Sequence, residues 1–307
     1  MNCKKIGLAL ILAGTVLLVG CGKKTASDTD KGSEVSASTE ASVKTSTVTS
    51  ASVSVSIPEE PEVPEGLPTL TLGRYEQDGN LDNGAEPIEW IVLFTDGGKS
   101  LVVSRYVLDC VPFNKGFAES DWANSSVRKF LNNDFYKSAF SAEEQSSILA
   151  STVPGVDPDA YREEKIAEIK AERAATEDPS DDALPIPEIE IPGTEDRVFL
   201  LSDFEVKKYL PDDPDLWGDE PYSKATPYAV SQGVWFLTEE NYKLLKYQDK
   251  YPETCIGGAW WWLRTNPEVL TKAQDITATG EIRENGHDTG ESHDGIRPAM
   301  WINKVPE

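Results

Sequence analysis

Two apolar runs near the C-terminus constrain this chain most. The first is Trp260-Trp261-Trp262-Leu263-Arg264 and the second is Gly295-Ile296-Arg297-Pro298-Ala299-Met300-Trp301-Ile302. Both have strand composition, and side chains alternate between the two faces of a strand. The tryptophans therefore divide between core and surface, with Trp261, in phase with Leu263, the expected outward one. Each run carries one arginine, and a guanidinium inside an apolar run needs an acceptor before it can be buried. An internal lock to Asp or Glu satisfies Arg264 and Arg297; binding a ligand carboxylate or a sugar hydroxyl is the alternative. Between the runs, Thr265 to Asp294 is rich in Thr, Gly, Asn, His and Asp. It reads as a loop carried on a strand framework that closes the domain, and so as the part able to recognise something.

The N-terminus reads as an export signal. Lys4 and Lys5 precede an apolar stretch, Ile6 to Val19, which is too short for a comfortable transmembrane helix. Leu18-Val19-Gly20-Cys21 resembles the lipobox of bacterial lipoproteins, which implies cleavage before Cys21, acylation of its thiol (a palmitate-type anchor) and an extracellular, membrane-tethered protein. Acyl chains contribute about 0.8 kcal/mol per buried CH₂, so a multiply acylated cysteine stays in the bilayer. Residues 21–67 are a linker, dominated by Ser, Thr, Ala and Val and then by Pro and Glu from Pro58 to Glu65. Such a segment buries too little apolar surface to offset its ordering entropy and is expected to be disordered.

A single globular domain follows, over residues 68–307. Leu70 to Tyr75 and Ile88 to Phe94 have strand composition, and Asp96-Gly97-Gly98-Lys99 is a hairpin turn into Ser100 to Tyr106. A helix starts after Asn124-Ser125, and Ser141-Ala142-Glu143-Glu144 and Ser202-Asp203-Phe204-Glu205 are capping boxes. Thr226 to Gly233 is one more helix, entered through Pro227, whereas Pro211, Pro214 and Gly218 break the helix before it. Residues 154–193 form an excursion: an Ala/Glu/Lys/Arg-rich helix with a weak apolar face, then a Pro-rich acidic return. The expected class is α+β, an irregular mixed domain of short antiparallel sheets and a few short helices.

The ordered series Leu72-Gly73-Arg74-Tyr75, Pro87-Ile88-Glu89-Trp90, Ser126-Val127-Arg128-Lys129-Phe130-Leu131-Asn132, Val198-Phe199-Leu200-Leu201-Ser202, Trp261-Trp262-Leu263-Arg264-Thr265 and Gly295-Ile296-Arg297-Pro298-Ala299 resembles a known family. It is a family of uncharacterised extracellular domains, of unknown function, in surface lipoproteins of Gram-positive bacteria. More remotely, Trp-Trp-Leu-Arg followed by a closing Gly-Ile-Arg-Pro-Ala strand is similar to the formylglycine-generating-enzyme and C-type-lectin-like superfamily. That likeness implies a lectin-like fold. The enzyme branch works through paired cysteines; here Cys110 and Cys255 are far apart and sit in no matching motif, which argues against that oxidase chemistry.

Chemistry-bearing residues are few. A net charge of −24 argues against nucleic acid, whose phosphates need a basic surface. The two histidines, His287 and His293, each precede an aspartate, Asp288 and Asp294. A metal site would need them to converge with a third ligand. In a Gly-flanked loop, solvated side chains or hydrogen bonding to a ligand are the simpler readings, and Asn285 belongs with them. Asp78, Asn80, Asp82 and Glu89 fall at positions 1, 3, 5 and 12 of a calcium loop, although the glycine comes one place late and no helix pair flanks it. A turn between strands is the competing reading, and no other cofactor is expected. An oxidising exterior permits a Cys110–Cys255 disulfide. Together these features point to a non-catalytic module binding a glycan, an envelope polymer or a protein. The alternatives are a surface hydrolase or transferase using His287, His293 or Asp294, and a structural envelope protein.

Overall fold

The computed structural model describes residues 67–175, 185–210 and 223–303. The signal, Cys21, the linker as far as Gly66, and Pro211, Pro214 and Gly218 lie outside them. In chain order, β1 (Thr69–Tyr75), β2 (Glu86–Asp96) and β3 (Lys99–Ser104) form an antiparallel meander, and β4 (Asp109–Cys110) leaves it. Two short helices, α1 (Ser126–Phe130) and α2 (Tyr136–Ala139), are joined by the π-helical turn Leu131–Phe135, and α3 (Ala142–Ser147) follows. Then β5 (Ser151–Pro154) and β6 (Gly193–Asp196) bracket α4 (Pro158–Ala175). β7 (Phe199–Leu200) and α5 (Asp203–Tyr209) come next, then β8 (Ser223–Lys224), α6 (Pro227–Gln232) and α7 (Glu239–Leu244). The C-terminal stretch holds β9 (Gly258–Ala259), β10 (Trp261–Trp262), β11 (Lys272–Ile276), β12 (Ile282–Asp288), β13 (Gly295–Ile296) and β14 (Pro298–Asn303). The architecture is α+β, with short, mainly antiparallel sheets and short helices.

Local chemistry explains the helix starts. Ser125 accepts the Arg128 amide, and Thr226, with Pro227 behind it, accepts the Ala229 amide. Both capping boxes close reciprocally, Ser141 with Glu144 and Ser202 with Glu205. Helix α7 was not expected from the sequence. It starts at Thr238, and its Tyr242 joins Leu237, Cys255 and Ala278 in a small second core, against which Trp235 and Trp260 pack.

Two five-stranded sheets carry the main core. The first runs β1-β2-β3-β14-β7 and the second β12-β11-β10-β13-β4. In the first, β14 lies between β3 and β7, with Ala299 opposite Val103 on one side and Phe199 on the other. In the second, β10 pairs antiparallel with β11 and parallel with β13, Trp261 lying opposite both Ile276 and Gly295. Trp261 therefore sits on a central strand and is fully buried, as is Trp262. The outward tryptophan is Trp260, half-buried one residue earlier.

Arg297 is the single residue between β13 and β14, where the chain passes from one sheet to the other. It is fully buried, its Nε donates to the Ser104 carbonyl at 2.9 Å, and its guanidinium lies 5.1 Å from the Trp261 ring centroid. Arg264 is buried too, pairing through Nη1 with Glu205 and with the Leu200 carbonyl, and through Nε with the Pro154 carbonyl. Both arginines are internal fastenings.

The segment Thr265 to Asp294 corrects the sequence reading. It is not a loop throughout: β11 and β12 form a hairpin inside it. The β11 strand hides from a hydropathy pattern because Gln274 and Asp275 are buried along with Ala273 and Ile276. The excursion, for its part, springs from the β5–β6 ladder, whose last pair is Pro154 with Gly193. Its stem is fixed by Asp196, which accepts from Trp122 Nε1, Arg128 Nε and Asn132 Nδ2. Helix α4 contributes no buried residue. Among the described residues, no helix is long and apolar enough to cross a membrane.

Candidate functional site

The second sheet gathers titratable side chains from three places in the chain. On β11, Asp275 is fully buried. A bulge lets β12 fit five residues, Arg283 to His287, against three on β11, Ala273 to Asp275. Gly286 makes that bulge possible: its φ is 65°, and a Cβ there would lie 2.6 Å from the Ala273 carbonyl oxygen. Arg283 and His287 consequently both reach the Asp275 side, Arg283 Nη1 lying 3.3 Å from Asp275 Oδ2. The third contributor, Asp294, is buried just before β13. Its neighbour Gly295 packs so closely that a Cβ would lie 2.2 Å from Val107 Cγ1.

His287 Nδ1 lies 2.7 Å from Asp294 Oδ2, and donating a hydrogen bond to that carboxylate raises the imidazole pKa. Asp275, His287 and Asp294 each offer a ligand atom, all within 4.8 Å of one another. Burial, and then the Asp294 charge, push Asp275 up to about 8. Neither Asp275 oxygen, nor Asp294 Oδ1, has a hydrogen-bond partner among the described residues.

Beside this cluster lies an aromatic patch. Trp235 and Trp260 stack with ring centroids 4.4 Å apart and 27° between planes. The Arg283 guanidinium lies 4.6 Å from the Trp260 ring centroid, and His287 meets that indole edge-on at 5.5 Å. Two backbone bonds hold the patch to the Asp294 turn: Trp235 N–H donates to the His293 carbonyl and Gly295 N–H to that of Trp260. Trp235, Trp260, Arg283 and His287 are all partly exposed, so indole, guanidinium and imidazole share one accessible face.

Of the residues expected from sequence, only Asp294 enters this site; Trp261, Arg264 and Arg297 are core. Exposed His293 has Nδ1 3.4 Å from Glu291, and Asn285 lines a separate hollow of 340 Å³ with Pro267 and Glu284. Asp275, Arg283 and Trp235 were missed, and His287 was weighed as a metal or ligand contact of the loop and as an alternative catalytic group. The one available signal was the repeated His-Asp pair, which gives no hint that Asp275 is the third member. A wider groove of 1160 Å³ runs between Arg162 at the start of the excursion and Asp203 and Phe204 of α5, and none of the expected site residues lines it.

Two further candidates weighed from the sequence do not come together in the structure. The calcium set does not assemble, because its members are tied up separately. Asp78 accepts from the Asn80 amide and Asn83 Nδ2, Asn80 accepts from the Asp82 amide, and Glu89 pairs with Arg105 at 2.7 Å. The carboxylates that do meet at this turn are Glu76, Asp78 and Glu86. Cys110 and Cys255 are not bridged, since they belong to different clusters. Cys110 Sγ donates to the Ser292 carbonyl at 3.1 Å. Burial, reinforced by Asp109 and Asp294, pushes that thiol up to about 12, so at neutral pH it is not a thiolate nucleophile.

The family model of a domain of unknown function, DUF6273, matches residues 97–304. The chain belongs to that family. The DUF6273 segment includes every residue of the cluster and of the aromatic patch, whereas β1 and β2 precede it while completing the first sheet. Comparison with curated proteins and with solved structures gives no match.

Proposed function

We propose that the protein is a lipid-anchored extracellular lipoprotein of Gram-positive type, and that its DUF6273 domain is a non-catalytic, C-type-lectin-like module that binds a glycan. The observation that carries the reading is the partly exposed patch of Trp235, Trp260, Arg283 and His287. Indoles pack on the apolar face of a sugar ring while guanidinium and imidazole hydrogen-bond its hydroxyls. The tether rests on Lys4, Lys5, the apolar run and Leu18-Val19-Gly20-Cys21. Under this proposal Cys21→Ser moves the protein from the membrane fraction to the medium, which fractionation of radiolabelled-palmitate cells reads directly.

The binding test is a glycan array probed with the full chain and with Trp235→Ala and Arg283→Ala. Binding to a sugar class that both variants lose supports the module, and an array no brighter than either variant overturns it. Retention of a peptide ligand alone would favour a protein partner. A second reading, a surface hydrolase or transferase, is favoured by the 2.7 Å contact of His287 with Asp294 beside Asp275. It requires turnover of envelope material that His287→Ala abolishes.

A further inference from the structure

We infer that Asp275, His287 and Asp294 form a binding site for a divalent transition-metal ion, Zn²⁺ or Mn²⁺, at the end of the second sheet next to the aromatic patch. Convergence is the first support. Three residues from β11, β12 and the turn before β13 bring one imidazole nitrogen and two carboxylate oxygens within 4.8 Å of one another. Zinc bonds of about 2.1 Å at tetrahedral angles set ligand atoms about 3.4 Å apart, so a contraction of about 1.4 Å at most completes the set. His287, the most exposed of the three at 27% of its side chain, is the ligand best able to move.

The second support is independent of that spacing. Asp275 and Asp294 have fully buried side chains, yet Asp275 Oδ1 and Oδ2 and Asp294 Oδ1 accept no hydrogen bond among the described residues. Buried carboxylate oxygens without donors are costly, so a fold that keeps three together calls for something that engages them. Arg283 Nη1 lies at ion-pair distance from Asp275 Oδ2, which leaves Asp275 Oδ1 and Asp294 Oδ1 as the oxygens still to be engaged. A proton shared by the two acids would engage the same two oxygens, and is the arrangement that a failure to bind metal would leave in place. A cation bound by one oxygen of each acid and by the imidazole engages both.

The donor set selects the ion. One nitrogen and carboxylate oxygens suit Zn²⁺ or Mn²⁺, whereas Ca²⁺ prefers six to eight oxygens. With three protein ligands and a partly exposed imidazole, one position stays open on the patch side, where a ligand oxygen or water would complete the shell.

The test is equilibrium dialysis of the untagged full chain against Zn²⁺ or Mn²⁺ alone, with elemental analysis. Wild type should hold one ion per chain and melt at a temperature that rises with metal concentration. Affinity should fall more than about tenfold in Asp275→Asn and in His287→Ala. It should be unchanged in Glu86→Gln, which alters the exposed acidic turn. The His287→Ala variant keeps both buried acids and changes a partly exposed position, so the test stands even if Asp275→Asn fails to fold. No bound Zn²⁺ or Mn²⁺, or equal retention in His287→Ala, overturns the site. No glycan enters this experiment, so its result is independent of the array.

Discussion

Arg264 shows at one residue how this fold is fastened. Its guanidinium binds the Glu205 carboxylate and the Leu200 and Pro154 carbonyls, so one side chain joins the β10 end, the α5 cap, β7 and the excursion stem. Both partners are largely withdrawn from water, with side-chain exposures of 2% and 12%. Removing one charge of a buried pair leaves the other without compensation, which costs about 3–5 kcal/mol. Arg264→Ala should lower the urea midpoint by that equivalent, while Arg264→Met combined with Glu205→Gln should recover part of it. A cost within about 0.5 kcal/mol, as for an ordinary surface substitution, would show that the pair is not a fastening. The need for an internal acceptor was legible in the sequence, because an arginine in an apolar run requires one; which acid answers it was not. Tryptophan facing was misjudged for a similar reason. Trp261 gains its burial from Ile276 and Gly295 on both flanks, partners 15 and 34 positions away.

At the scale of elements, the features written in contiguous residues were the legible ones. Ser141-Ala142-Glu143-Glu144 fixes the start of α3 with no help from distant chain, and the structure adds only that Glu144 Oε1 also accepts the Gly73 amide of β1 at 2.9 Å. Burial alone would raise the Glu144 pKa. The Ser141 hydroxyl and the Ser141 and Gly73 amides outweigh it and hold the carboxyl below its ordinary value. A depressed carboxyl stabilises the fold above its unfolded pKa and loses that contribution as pH falls through the folded one. Glu144→Gln, which keeps a capping oxygen and loses the charge, should therefore cost about 0.3–1 kcal/mol at pH 7, and the gap to wild type should close as pH drops below about 4.3. Thermal melts of both proteins from pH 7 to pH 3 measure it; a gap independent of pH would mean the carboxylate charge contributes nothing. The β11–β12 hairpin was illegible by contrast. Its strands bury Gln274 and Asp275 side by side and set Arg283 and His287 toward Asp275, so no apolar alternation marks them, and the bulge at Gly286 breaks the period that remains.

The whole molecule is closed by long-range pairing, since the last strand described, β14, completes a sheet begun at Thr69. The same pairing assembles the cluster of Asp275, His287 and Asp294, which no local motif announces. Against this, α4 stands out among the described elements as loosely tied to the rest. Helix α4 buries nothing, and two of its ion pairs, Arg162 with Asp159 and Lys165 with Glu168, lie within the helix itself. The stem is different: β5 and β6 pair over four residues, the Gly155 amide reaches the Pro192 carbonyl, and Asp196 anchors the ladder to Trp122 and Arg128. Replacing residues 157–191 by an Asn-Gly turn keeps that stem and shortens the connection, which slightly favours folding through loop closure. The melting temperature should then move by no more than about 4 °C, the equivalent of roughly 1 kcal/mol for a domain of this size. The Asp196→Ala change in the intact chain should lower it by more, because Arg128 and Trp122 Nε1 lose a buried acceptor. Differential scanning calorimetry of the two variants decides the matter: if the deletion costs more than the single substitution, the excursion supports the body and its stem does not stand alone.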